Sequence, residues 1–135
     1  MVTQIDKIYT ALIDIVTDMG YFSKADTNFF EVHPAIGFGP ITVENVPELG
    51  EDGRVNIDIP VVIVDAGLDP LVNVKIAQMY EEFRLAFLTN IKSHLTTYGV
   101  VCSIIEFGNY NPRVNNNDDM AETGLEGTVG FQLTI

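Results

Sequence analysis

At 135 residues the chain has the length of one domain, and a hydrophobic share of 47% against 19% charged excludes disorder throughout. Seven Lys and Arg against nineteen Asp and Glu give a net charge of -12, which excludes a globally basic nucleic-acid binder, because neutralising phosphates takes cations in quantity. One cysteine, Cys102, excludes an internal disulfide and a thiolate zinc site.

The opening MVTQIDKIYT lacks a basic patch followed by an apolar stretch, so no signal peptide is expected. No apolar run has the length of a membrane span. A soluble intracellular protein is the expectation.

Residues 3–19 read as an amphipathic helix, with Ile5, Ile8, Leu12, Ile15, Val16 and Met19 on one stripe. Thr3 and Asp6 supply a capping pair and Gly20 a left-handed stop. Residues 21–28 read as a polar connection, and Phe29–Val32 as a short strand ended by His33-Pro34. Ile41–Val46, bracketed by Pro40 and Pro47, reads as a strand that pairs with Val55–Val64 in an antiparallel hairpin. Pro60 cannot donate to a ladder, which predicts an edge or a bulge there.

Asp69-Pro70 is a helix start, and the apolar spacing of Ile76, Tyr80, Phe83, Phe87, Ile91, Leu95 and Tyr98 carries a long helix to Gly99. Met79, Leu85, Ala86 and Leu88 widen its apolar surface. Burial on two sides is expected, against the sheet and against the first helix or another subunit. Val100–Phe107 reads as a central strand and Thr128–Ile135, strictly alternating, as another. About twenty residues between them lack periodicity and read as a long mobile loop. The expected fold is therefore α+β over residues 1–135. A mixed or antiparallel sheet packs on one long helix and a shorter N-terminal helix, in the order helix-strand-strand-helix-strand-strand.

No assembled chemistry emerges. Gly37-Phe38-Gly39 lacks the third glycine and the following helix of a dinucleotide site. His33 and His94 have no ligand spacing between them. Asp118, Asp119 and Glu122 lack the spacing of a calcium loop. There is no G-x-S-x-G, and Cys102, in an apolar strand, reads as a small hydrophobe rather than a reactive thiol. No catalytic, metal or cofactor-binding residue is expected.

The acids are concentrated. Residues 32–69 hold seven acids opposed only by Arg54, and residues 106–135 hold five opposed only by Arg113. Two segments are therefore candidates for partner contact. One is the loop with Arg113, Val114, Asn115, Asn116, Asn117, Asp118, Asp119, Met120 and Glu122; the other is an acidic loop with Glu48, Glu51, Asp52 and Arg54. Val114–Glu122 is expected to be replaceable without touching the core.

In the order and spacing of these features the whole chain resembles the tail terminator (tail completion) proteins of long-tailed, lambda-like bacteriophages. The features are the opening helix, Phe29-Phe30 with His33-Pro34-Ala35, the hairpin Ile41–Val46 with Val55–Val64, the helix from Asp69-Pro70, the strand Val100–Phe107, the Asn/Asp-rich loop and the final strand. The resemblance implies a non-enzymatic virion protein without a cofactor, assembled in the host cytoplasm. Its subunits would form a homo-hexameric ring that caps the tail tube, ends its polymerisation and offers a surface for head joining. The implied partners are the tail tube protein and a head-tail connector protein. DNA would pass through a negatively charged lumen without specific binding, and no membrane is involved. The alternatives are another neck or tail-completion virion protein, or a small intracellular α+β ligand-binding domain or enzyme with its pocket between the long helix and the sheet.

Overall fold

The computed structural model describes residues 4–27, 30–45, 54–68, 70–116 and 121–134. Its elements in chain order are α1 (Gln4–Asp18), β1 (Phe22–Lys24), β2 (Ala35–Phe38), β3 (Thr42–Asn45), β4 (Arg54–Ala66), α2 (Pro70–Thr97), β5 (Cys102–Phe107), β6 (Asn111–Asn116) and β7 (Ala121–Thr134). The α+β class, the mixed sheet and the two helices agree with the sequence reading. The order does not: four strands precede α2 and three follow it.

The sheet is organised on β4 and β7, which pair antiparallel from Arg54↔Thr134 to Ala66↔Glu122. At the usual rise per residue this thirteen-residue strand is about 40 Å long. Its outer edge carries β2 along Val61–Val64 and β3 along Val55–Asp58. β1 extends that edge, in parallel with β2. The free edge of β7 carries β5 and β6 in the same end-to-end manner.

Pro60 therefore sits inside a central strand, not at an edge. The Pro60 carbonyl accepts from Gly39 N at 2.8 Å. A residue's N–H and C=O point to the same side of an antiparallel strand, so the missing donor also faces the β2/β3 side. It falls where β2 has ended and β3 has not begun, opposite Gly39 and Pro40. The β4–β7 ladder loses nothing.

The odd-numbered residues of β4 (Val55, Ile57, Ile59, Val61, Ile63) point toward the helices, with Val129, Phe131 and Leu133 of β7 beside them. α1 adds Ile8, Ala11, Leu12, Ile15 and Val16, and α2 adds Ile76, Met79, Phe83, Phe87, Ile91 and Leu95. Phe83 is at the centre, with ring centroids 6.1 Å from Phe38, 6.0 Å from Phe87 and 5.7 Å from Phe107. These rings fill the space between α2 and the sheet around Phe83. Gly20 and Gly99, at φ 91° and 75°, follow the two helices in the left-handed conformation expected of them. Tyr98 OH bonds the Asp14 carboxylate and ties the end of α2 to α1. Tyr21 OH donates to Glu82 Oε2 at 2.6 Å; burial and this bond push its pKa up to about 12.

Three further expectations are corrected. Residues 21–28 include strand β1, which contributes only three residues and has no alternating pattern. The described part of Phe29–Val32 is not strand; it crosses the sheet as irregular chain, ending at the cis His33-Pro34 peptide. β5 is apolar yet pairs, among the described strands, with β7 alone, so it is an edge and not a central strand. α2 packs on both the sheet and α1 as expected, but its apolar surface is not buried all round: Leu85 and Leu88 are 67% and 49% exposed. Thr3, Val46, Pro47, Asp69 and Ile135 lie outside the described residues.

Replacing Phe83 by Ala should lower the unfolding free energy by about 3–5 kcal/mol, the cost of deleting a large core aromatic. Denaturant unfolding followed by circular dichroism measures it. An unchanged midpoint would place Phe83 outside the core.

Candidate functional site

The even-numbered side chains of β4 emerge on the face of the sheet away from the helices, and this face is divided in two. Over the half nearest Ala66, residues 24–27 and 30–34 pass across the sheet as a strap. Phe30 is its anchor: fully buried, it packs with Ala35, Val62 and Val64 in a second, smaller core. Lys24 Nζ lies 4.6 Å from the centroid of the Phe30 ring. Gly37 is required beneath it, because a Cβ there would stand 2.2 Å from the Asp26 carbonyl and 2.4 Å from the ring.

The hairpin β6–β7 fastens the strap. Asn115 pairs with Glu122 and Arg113 with Gly124, which puts Arg113 and Glu122 on the strap side of the sheet. Glu122, 1% exposed, accepts from Phe30 N at 3.1 Å, and its same Oε2 lies 2.6 Å from His33 Nε2. Arg113 Nη2 donates to the Thr27 carbonyl at 3.1 Å. A buried carboxylate needs such donors, since an unpaired one is strongly penalised. His33, which has no ligand spacing in the sequence, is thus one partner of the buried carboxylate among the described residues.

The expected mobile loop is corrected accordingly. Asn111–Asn116 and Ala121 onward are paired strand. The segment lacks periodicity because its strands hold few apolar residues, the hairpin being bonded through its backbone and fastened to the strap. Glu122 is a strap anchor and not a partner-contact residue, so replacing Val114–Glu122 does touch the interior. Val114, opposite Thr123, is on the other face and 64% exposed. Asn115 and Asn116 end β6. Asn117, Asp118, Asp119 and Met120 lie outside the described residues, as do Glu48, Glu51 and Asp52. Arg54 opens β4. The described residues that flank the two candidate segments lie at opposite ends of the ladder, Asn45 and Arg54 at one and Asn116 and Ala121 at the other.

Beside the strap an open cleft of about 450 Å³ is lined by Thr27, Asn109, Asn111, Arg113, Glu126 and Thr128 among others. Arg113 Nη1 is buried there without a hydrogen-bond partner among the described residues. Its polar groups suit hydrogen bonding to a polar segment. Elsewhere the isolated groups behave as the sequence suggests. His94 Nδ1 lies 3.0 Å from the carbonyl of Asn90 within α2. Cys102 is half-buried, and burial pushes its thiol up to about 11, so it is protonated and weakly nucleophilic at neutral pH. Burial also raises the Tyr110 phenol, which stacks on Phe107 at 4.9 Å. Among the described residues no three His, Cys, Asp or Glu gather as a metal site, and no helix is long and apolar enough to cross a membrane.

Comparison with protein-family models and with curated proteins finds no match.

Glu122→Ala should cost about 1–3 kcal/mol, because it strands the Phe30 N–H and the His33 ring. Glu122→Gln, which retains an acceptor oxygen, should lose less. Equilibrium unfolding of the two variants checks this order; wild-type stability in Glu122→Ala would mean that the strap is held by Phe30 alone.

Proposed function

We propose that the chain is a virion structural protein of a long-tailed bacteriophage. In this reading its subunits form a hexameric ring that caps the tail tube, ends tail polymerisation and presents a surface to a head-tail connector protein. The observation that carries this reading is the placement of the two acidic candidate segments. Asn45 and Arg54, which flank residues 46–53, lie at the Arg54 end of the β4–β7 ladder, and Asn116 and Ala121, which flank residues 117–120, lie at its Ala66 end. A protein that terminates one polymer and receives another structure must make contacts in two opposite directions. A ladder about 40 Å long with a partner segment at each end meets that requirement.

The role is geometric and needs no reaction. The ring covers the growing end of the tube, and contact segments on a hydrogen-bonded sheet deliver their binding free energy without deforming the core. A net charge of -12 keeps DNA passing through without specific binding, because like charge holds phosphates away.

Electron microscopy of particles assembled with and without the chain tests the proposal. Without it, tails should be irregular in length and unjoined to heads; adding the purified protein back should restore joining. A variant with residues 117–120 replaced by Gly-Ser-Gly-Ser should melt like wild type, since it keeps the β6–β7 pairing from Asn116↔Ala121 onward, yet fail to complete tails. Tails of normal length joined to heads in the absence of the chain would contradict the proposal.

A further inference from the structure

The strap leaves the other half of the outer sheet face open, and that half is acidic. Asp58 of β4 and Glu106 of β5 both lie opposite Gly130 of β7, one on each side of a residue without a side chain. Glu44 of β3 stands two pairs further along, opposite Asn56. The three carboxylates are exposed. With Asn56, Gly130 and Gln132 they line a shallow hollow of about 170 Å³. The bare backbone at Gly130 makes this hollow a slot between two carboxylates, shaped for a long cationic side chain.

The opposite side of the molecule carries the complementary surface. From Phe83 to Ile105 the sequence contains no acid. Along the outward side of this half of α2, Arg84, Leu88 and Lys92 follow at four-residue steps with Leu85 beside them, all four exposed. The stripe points away from the core, because Phe83, Phe87, Ile91 and Leu95 occupy the buried side of the same turns. A chain with only seven cationic side chains thus places two of them beside two exposed leucines, on the face remote from its open carboxylates.

Resting on the ring reading above, we propose that the occupant of this helix surface is a second copy of the chain. The Arg84–Lys92 stripe of one subunit seats on the Glu44–Asp58–Glu106 face of the next. Charge complementarity selects this pairing over helix on helix, which would oppose cation to cation, and over sheet on sheet, which would oppose carboxylate to carboxylate. The leucines bury apolar surface at the centre of the contact. Because two different patches meet, the contact is head-to-tail. Each subunit then uses one surface of each kind, the arrangement from which a ring closes.

Two charge-reversed proteins test the pairing. One carries Arg84→Glu and Lys92→Glu, the other Asp58→Lys and Glu106→Lys; all four positions are exposed, and circular dichroism verifies that both fold. Sedimentation velocity should show concentration-dependent assembly of the wild-type chain and roughly a hundredfold weaker self-association of each variant alone. An equimolar mixture, whose average net charge equals that of wild type, should recover assembly, since each reversed surface then meets an opposite partner. A wild-type chain that stays monomeric, a variant that assembles alone as well as wild type, or a mixture that fails to recover would each overturn the contact. Assembly of wild type and both variants alike would leave the ring reading standing with its interface elsewhere, whereas the particle experiment above decides that reading by itself.

Discussion

The pairing of β4 with β7 is the constraint from which the rest of the structure follows. Every other strand but β1 bonds directly to one of these two, and β1 is attached through β2. Because side chains alternate along a strand, the register Asp58↔Gly130 also decides what each face contains. A slip of one residue would turn Ile57, Ile59 and Val61 out toward the strap and bring Asn56 and Asp58 against Phe83 and Phe87. Pro60 helps to fix the arrangement of the outer edge. A strand that ran continuously past it would meet a missing donor, so two short strands, β2 and β3, divide that edge instead.

The two faces of the sheet are stabilised differently. On the helix side, burial of aliphatic and aromatic side chains does the work. On the other side the apolar surface is too small for a second helix layer: only Val62 and Val64 of β4 meet Phe30 and Ala35. Directional bonds make up the difference, from Glu122 to the Phe30 amide and His33, and from Arg113 to the Thr27 carbonyl. This economy leaves half of the face uncovered. The uncovered half collects exposed carboxylates because nothing there has to be dry, and a surface so charged is available for contact with another chain.

The helices were legible in the sequence because their signals are local: apolar spacing, Asp69-Pro70 and the glycines that stop them. The β3–β4 hairpin and the alternation of Val129, Phe131 and Leu133 were legible for the same reason. β1 and β6 were not, since β1 is three residues paired only through β2 and β6 is held to β7 through its backbone, and neither carries an apolar period. The central place of β4 was hidden by Pro60, whose cost depends on which side its nitrogen faces. Of the candidate contact residues, Arg113 and Glu122 proved to be internal fasteners. Charged residues in an Asn/Asp-rich stretch look solvated, and only the strap, some ninety residues earlier, makes Glu122 a buried acceptor. Val114 remained exposed as expected.

The most direct test of the account is native-state hydrogen exchange resolved by residue. If the β4–β7 ladder is the element on which the others depend, the bonded amides of Val55–Val64 and Leu125–Leu133 should exchange only through global unfolding, with the largest protection in the molecule, while amides of β1 and the strap exchange through smaller openings. Protection that persists in α1 and α2 under conditions where the β4–β7 amides have already exchanged would show that the helices hold together without the ladder, and would contradict the account.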